Sequence, residues 1–550
     1  MKLTRKKKLA AVAAVLAATA VGVTVALAAP TTDLTGVPAA NSKSPGYAPA
    51  SILSPELEQI AVAQGSTKVE NLSAAVSYYG YDNDTLNAAG QPLMVPSVST
   101  GGNLEAHKTE PDKNVYLVLE GLNGADAGYD YGTHFLFQGH EAGSPGYVTR
   151  INLDADAAHR VTVLATKDAD GNDIATIDGV TWDPWAQRLL FTTEGASKPT
   201  YSATPGYPSQ VVDVSGALGR GGYEGIQDDE DGNLWIVEDI GGANKPNPPD
   251  TSCGSARLNP CTTARLPNSF LYRYVPKKPG DLANGKLQVL QVLNGSNQPI
   301  TQATQTALSS ADQVALHTFG SAFNTKWITI HDTAVNGNAP FNANMLAKAA
   351  NGTPFKRPEN GAFRPDGKFE EFYFDETGDT DATSPENACC GGGDSVFKLT
   401  QAGPSENTGK LTILFKGDQA HAGFDNVAFL TKDLIAFVED AGDKLHGQRN
   451  ALDSGFVLDV TKNYSNPANV PLRWLAEGRD PSATIDADNG GFGKNDGDNE
   501  ITGMHVSDGD PTANGVLGRK APHPFAPDGK WRVFYTQQHG DNTTWEVVQP

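Results

Sequence analysis

A chain of 550 residues with 42 basic and 64 acidic side chains carries a formal charge of 42 − 64 = −22. So acidic a surface excludes nucleic acid as a partner, and it favours hard cations such as calcium, which clustered carboxylate and carbonyl oxygens hold. The 58 glycines and 35 prolines, with few long amphipathic stretches, point to short strands between turns, and at this length to an all-β propeller with long loop insertions rather than a sandwich or barrel.

The basic start Lys2 to Lys8, the uncharged run Leu9 to Ala29 and the small-residue triplet Ala26-Leu27-Ala28 read as a secretory signal over residues 1–28. Arg5 is followed by Lys6, so no twin-arginine pair marks the export route. Retained, the same run is long enough to anchor the chain in a bilayer; otherwise no membrane partner is expected. Removing it takes five basic residues and no acidic ones, leaving 37 − 64 = −27. Residues 29–54 read as a flexible leader rich in Pro, Ala, Ser and Thr, and residues 55–550 as one propeller domain, a monomer that is secreted, periplasmic or held at the cell surface. Export favours a disulfide between Cys253 and Cys261; the vicinal pair Cys389-Cys390 would need a strained geometry, and neither spacing resembles a zinc knuckle.

Along the domain, short β-type runs such as Asn114 to Leu119, Arg188 to Thr193, Asn233 to Val237, Leu411 to Phe415, Leu434 to Val438 and Trp531 to Tyr535 alternate with turns. A degenerate repeat runs through them. Asp178-Gly179-Val180 leads to a second run ending at Glu194, Glu224-Gly225-Ile226 to Glu238-Asp239, and Asp425-Asn426-Val427 to Glu439-Asp440, with a fragment between Glu359 and Glu376. In two copies the step from first acid to second is the same, 238 − 224 = 439 − 425 = 14. A repeated hairpin is one supersecondary unit per blade, and stacked blades bring equivalent residues together on the central axis. Like charges gathered there repel unless a cation joins them. The expected metal ligands are Glu141, Glu194, Glu224, Glu238, Asp239, Glu359, Asp425, Asn426, Glu439, Asp440 and Glu500, all oxygen donors suited to calcium, magnesium or high-valent iron.

Two acidic strings, Asp168 to Asp173 and Asn495 to Glu500, look like calcium loops but read as solvated turns; the first lacks the distal Glu of an EF-hand. His140 and His539 read as hydrogen-bonded structural residues. No Gly-x-Ser-x-Gly elbow and no Walker loop occurs, so a common serine hydrolase and an NTPase are not indicated. Arg357, two residues before Glu359, has the fork geometry to clamp a tetrahedral oxyanion against a metal and is the expected catalytic residue.

Several segments in the same order resemble the PhoX-type alkaline phosphatases: Gly139-His140-Glu141 with Gly146 to Arg150, Tyr223-Glu224-Gly225 through Glu238-Asp239, Phe270 to Pro276 with Pro279 to Leu282, Phe355 to Glu359, Phe424 to Phe429 with Glu439-Asp440, Asn499 to Gly503, and Phe534 to Gly540. The resemblance runs from about residue 110 to the end. It implies an exported six-bladed propeller that hydrolyses small phosphate esters with iron (Fe3+) and calcium (Ca2+). By position, Glu224 and Glu359 match carboxylates on the iron pair and Arg357 the arginine beside the phosphate. Glu194 falls in a segment that supplies a cysteine iron ligand in the family, but this chain reads Phe191-Thr192-Thr193-Glu194-Gly195 there. A hydroxyl does not replace a thiolate without changing metal affinity and charge, so calcium is the firmer expectation. Two other readings of the same scaffold are a calcium-stabilised propeller that binds without catalysis and a different propeller hydrolase, a lactonase or phytase.

Overall fold

The computed structural model describes residues 33–39, 41 and 50–550, apart from 74, 82–93, 97–102, 107–108, 144, 247–262, 308–309, 379–393, 419, 443–444, 447–448, 479–499 and 539–541. The signal segment, most of the leader, the four cysteines and His539 lie outside the described residues. Among those described, no helix is long and apolar enough to cross a membrane.

The described strands group mainly into up-and-down antiparallel units of four. The first holds Pro111–Val118, His134–His140, Val148–Asn152 and Val161–Ala165. The second holds Val180–Asp183, Arg188–Phe191, Tyr201–Ala203 and Val211–Asp213. In the third are Tyr223–Asp228, Leu234–Glu238, Leu271–Pro276 and Gly285–Leu293, and in the fourth Gly361–Phe363, Glu371–Glu376, Ser395–Gln401 and Thr408–Lys416. The fifth has Phe424–Phe429, Leu434–Glu439, Ser454–Asp459 and Leu472–Ala476. The last unit takes Glu500–Ser507, Arg532–Gln538 and Thr543–Val548 from the C-terminal end and is completed by Glu58–Ala63, which pairs with Thr543–Val548. One chain end thus fastens the other.

Core packing shows that these units form a closed ring. Val115, Leu117, Phe135 and Phe137 of the first unit pack with Val180, Leu189 and Phe191 of the second. The alternate residues Tyr116 and Leu136 instead join Phe534 of the last unit. Successive side chains of a strand face opposite sides of its sheet, so one strand feeds two interfaces and both faces are buried. The same division recurs at the second and third units (Leu190 with Ile226 and Ile236), the fourth and fifth (Tyr373 with Phe437) and the fifth and last (Val438 with Val506). This is a β-propeller.

The third and fourth units depart from the pattern. The eleven-residue strand Ala322–Asp332 pairs with the outer strand of each, welding them into one nine-stranded sheet. Buried Arg273 reinforces the weld, donating to the carbonyls of Pro404 and Glu406 of the fourth unit, with its guanidinium 4.7 Å from the ring centre of Trp327.

Candidate metal centre

The innermost strands carry the site, and local irregularity aims it. Pairing slips between Pro111 and Asn114, Tyr223 and Ile226, Phe424 and Val427, and Thr502 and His505. Each slip is a β-bulge, which breaks the strict alternation and re-aims side chains. Asp112 and Lys113, Glu224, and Asp425 and Asn426 sit in these bulges. The small residue after the acid has its own cause: the neighbouring strand passes against it. A Cβ on Gly179 would stand 2.1 Å from the carbonyl oxygen of Glu224, and one on Gly225 2.9 Å from that of Glu359. The amide of Gly225 donates to that Glu359 carbonyl at 2.7 Å. The repeat read from the sequence therefore records contact between blades as well as charge.

Carboxylates from different units meet in three overlapping trios: Asp112, Glu141 and Glu500; Glu141, Asp178 and Glu194; and Glu194, Glu224 and Asp239. In each trio the donor oxygens lie within 4.8 Å of one another. Glu141 and Glu194 belong to two trios each, so the set is an arc of three adjacent oxygen sites with two shared carboxylates. Arg357 stands at one end, with Nε 2.9 and 3.0 Å from the Asp239 oxygens, one terminal nitrogen 2.8 Å from Asp239 and 3.5 Å from Glu359 Oε1. Lys113 stands at the other, its ammonium donating to Asn426 Oδ1 at 2.7 Å and to the Met504 carbonyl at 3.2 Å. Asn426 donates to Asp425 Oδ1 and Thr502 Oγ1, and Thr502 donates to Asp112.

Burial raises the proton affinity of Asp112, Glu141, Asp178, Glu194, Glu224, Glu359, Asp425 and Glu500, and for all of these but Asp112 repulsion from neighbouring acids adds to it. Asp112 is pushed up to about 6 and Asp425 to about 7. Glu141, Asp178, Glu224, Glu359 and Glu500 move well above the ordinary carboxylate range, with burial again the leading cause. One oxygen each of Asp178, Asp375 and Asp425 is buried and accepts no hydrogen bond. Orphaned acceptors on an all-oxygen donor set are what a hard cation satisfies, so the residues fit calcium or a similar ion.

Of the expected ligands, Glu141, Glu194, Glu224, Asp239, Glu359, Asp425, Asp440 and Glu500 share this one electrostatic field, Asp440 acting on both Arg357 and Glu500. Asn426 stands beside them with its amide engaged by Lys113, Asp425 and Thr502. Glu238 and Glu439 are not in the trios, and each is engaged by donors of the chain. Glu238 accepts from the amide of Phe270, the hydroxyl of Tyr272 and the amide group of Asn344, each at 3.0 Å. Glu439 accepts from the amides of Ala422 and Ser454 at 2.9 Å and receives both arms of Arg449 at 3.1 Å. Glu376 does the same for the amide of Lys356 at 2.7 Å and for His317 Nε2 at 2.8 Å. These strand-end acids tie strand to loop inside a blade. Glu376 thereby fixes the chain next to Arg357, whose backbone is held at φ +54°, a left-handed value that a non-glycine residue adopts only under constraint.

Four further residues belong to the centre and were not among the expected ligands: Asp112, Lys113, Asp178 and Asp375. Asp112 holds the same place in its bulge as Glu224 and Asp425, but Lys113 and Asn114 replace the small and β-branched residues that mark the other copies; Asp178 was visible as a repeat acid, whereas Asp375 lies within Glu371–Glu376 and nothing in its spacing marks it. His140 is structural, as expected, with Nδ1 3.0 Å from Thr109 Oγ1 and Nε2 2.9 Å from Thr149 Oγ1. Asp168 caps its own turn, accepting from the amides of Asp170 and Asn172.

No family model matches the chain, and no curated protein matches it in sequence. Among solved structures it is similar to PhoX of Pseudomonas fluorescens in complex with vanadate, a transition-state analogue, with a TM-score of 0.52 at 12% identity, over 94% of this chain and 98% of that one. A gluconolactonase of Xanthomonas campestris aligns at a TM-score of 0.30 and 11% identity, over 79% of this chain and 98% of its own. At 12% identity, the likeness to PhoX supports the propeller fold and nothing finer.

Proposed function

We propose that this protein is an exported, six-bladed propeller of the PhoX type that hydrolyses phosphate monoesters at the carboxylate arc. The observation that carries the reading is Arg357 at the end of that arc, its fork locked on Asp239 and Glu359 by a strained backbone. A guanidinium held beside a row of cation sites is an arrangement for a substrate that is itself an oxyanion. Glu141, Glu194, Glu224, Asp239 and Glu359 would hold hard cations, calcium first and iron second. When bound, such ions polarise phosphoryl oxygens and acidify a bound water. The chain's own part is to fix the phosphate with Arg357, to balance charge as it develops on the equatorial oxygens, and to keep Arg357 and the carboxylates at set separations through the bulges.

A second reading, a calcium-bound propeller without catalysis, is favoured by Thr192 and Thr193. They stand where the resemblance places a thiolate, and both hydroxyls donate to backbone carbonyls, of Glu224 and Pro199. Neither hydroxyl brings the negative charge and soft sulfur of a thiolate.

The test is hydrolysis of p-nitrophenyl phosphate by the chain stripped with a chelator and resupplied with calcium, iron or both. Metal-dependent turnover inhibited by vanadate is expected. Arg357→Ala should keep its metal and lose about 2 to 4 kcal/mol of transition-state stabilisation, roughly a 30-fold to 900-fold fall in kcat/KM. Absence of turnover with both metals present and bound would give the site to the non-catalytic reading; turnover of lactones alone would give it to another hydrolase.

A further inference from the structure

Lys113 is the feature that the reading above leaves over. It follows Asp112 directly, and in a regular strand the two would point to opposite faces. The slip between Pro111 and Asn114 sets both outside the alternation. The carboxylates whose charges act on the ammonium are those of Asp425, Asp112, Asp375 and Asp178. Its two hydrogen bonds go to a side-chain amide oxygen, Asn426 Oδ1, and to a backbone carbonyl, Met504 O. Carboxylate, amide oxygen and carbonyl oxygen are the donor types that surround calcium in proteins. Asp375 and Asp425, 0% and 5% exposed, each keep one buried oxygen that accepts no hydrogen bond. On its other side Lys113 borders a cavity lined mainly by apolar side chains, among them Val115, Val180, Ile226, Val427 and Met504.

We propose that Lys113 is a tethered cation seated in what is otherwise a further hard-cation site, built from Asn426 Oδ1, Met504 O and the carboxylates of Asp112 and Asp425. This rests on the reading of the arc as a metal centre. The ammonium is tethered to the backbone and cannot exchange with ions in solution, and it ends the row of exchangeable ions where the polar centre gives way to the apolar cavity. Arg357 ends the row at the substrate side. The chain therefore supplies both terminal cations, and the metals occupy only the interval between them.

The experiment counts calcium. The full chain is stripped with a chelator, equilibrated with calcium alone and analysed for bound metal per folded molecule. Lys113→Met should bind one calcium more than the parent, because the vacated oxygens recruit an ion. Lys113→Arg, which keeps a tethered charge, should bind the parent's number. Should Lys113→Met fail to fold, the pair Lys113→Met with Asp425→Asn, which removes one charge of each sign, should fold and bind the parent's number. The same number in Lys113→Met as in the parent, or fewer in the pair, overturns the proposal while leaving the metal centre intact. A parent that binds no calcium overturns the metal reading itself, and this inference with it.

Discussion

Glu238 and Asp239 are neighbours in sequence, and so are Glu439 and Asp440, yet each pair divides between two environments. Glu238 and Glu439 are fully buried, and each accepts hydrogen bonds from amides or side-chain donors of its own blade. Asp239 faces Arg357 and the acids of the neighbouring units. Identical chemistry thus serves opposite purposes. The strand-end acids are tied within the chain, Glu439 through both oxygens and Glu238 through Oε2 alone, its Oε1 being buried without a partner, so their burial holds the blade together. The axial acids are under-compensated, with Lys113 and Arg357 the cations among them in the described residues, so their burial stores a repulsion that a bound ion relieves.

The largest effect expected from this contrast is on the compensated side. Glu439→Ala takes from Arg449 its bidentate partner, leaving only Asp453 at 2.9 Å, and leaves two buried amides without an acceptor; breaking such a buried pair costs about 3 kcal/mol, the lower end of the range because Asp453 remains. Denaturant unfolding should show that loss with and without calcium, while the metal bound per folded molecule stays at the parent's value. Metal loss with stability unchanged would put Glu439 back among the ligands.

Metal removal should be the next largest. An ion present at a hundredfold its dissociation constant stabilises by about 2.7 kcal/mol, so stripping should lower the Tm measurably. The pH dependence sharpens the point. Asp112 at about 6 and Asp425 at about 7 are raised above their unfolded values. A raised carboxylate contributes stability that is fully present below the unfolded value, near 4, and is lost as pH rises through the folded one. Stripped protein should therefore melt progressively lower from pH 5 to pH 8, and the gain from calcium should grow over the same interval. A flat profile in the stripped protein would mean that the axial charges are already compensated.

Glu141→Gln should have a smaller effect, of opposite sign in the two states. Removing one charge from two trios should stabilise the stripped protein by on the order of 1 kcal/mol at pH 8, since one unit of proton affinity relieved is about 1.4 kcal/mol. The glutamine carbonyl can still accept from Gln538, which donates to Glu141 Oε2 at 2.9 Å, so the fold has no reason to suffer. Calcium affinity should fall because two adjacent sites share the lost carboxylate. Paired melting curves with and without calcium measure both.

The fold was legible because buried strand runs, turn residues and a hairpin repeat all point the same way. The centre was legible as a class of residue and only partly as a list. Sequence spacing locates Glu238 and Glu439 as well as it locates Asp239 and Asp440, since all four sit at the ends of equivalent strands. Which of two adjacent acids faces the axis depends on strand alternation and on where the bulge falls, and neither shows in a fourteen-residue step. Asp375 was out of reach for a different reason: it is the residue before the strand-end Glu376 of a second strand, Glu371–Glu376, a place that Val237 and Val438 hold in the equivalent strands.

A third group of acids sets the lower limit of the comparison. Asp168 and Asp170 lie in a turn that has the look of a calcium loop, where Asp168 satisfies the amides of Asp170 and Asn172 and Asp170 is exposed. Asp168 is held below its ordinary range, by hydrogen bonds from Asn172, Asp170 and Gly171 that outweigh its slight burial, the reverse of Asp112, Glu141, Asp178, Glu224, Asp425 and Glu500 on the axis. A carboxylate already stabilised in its charged form by its own turn, and open to water, has little left for an ion to relieve. Asp170→Asn should accordingly change stability by less than about 0.5 kcal/mol and leave the calcium count untouched. A lost calcium in that variant would make the turn a true ion site and remove the distinction between exposed and axial acids, because the surface loop would then bind without the repulsion that defines the centre.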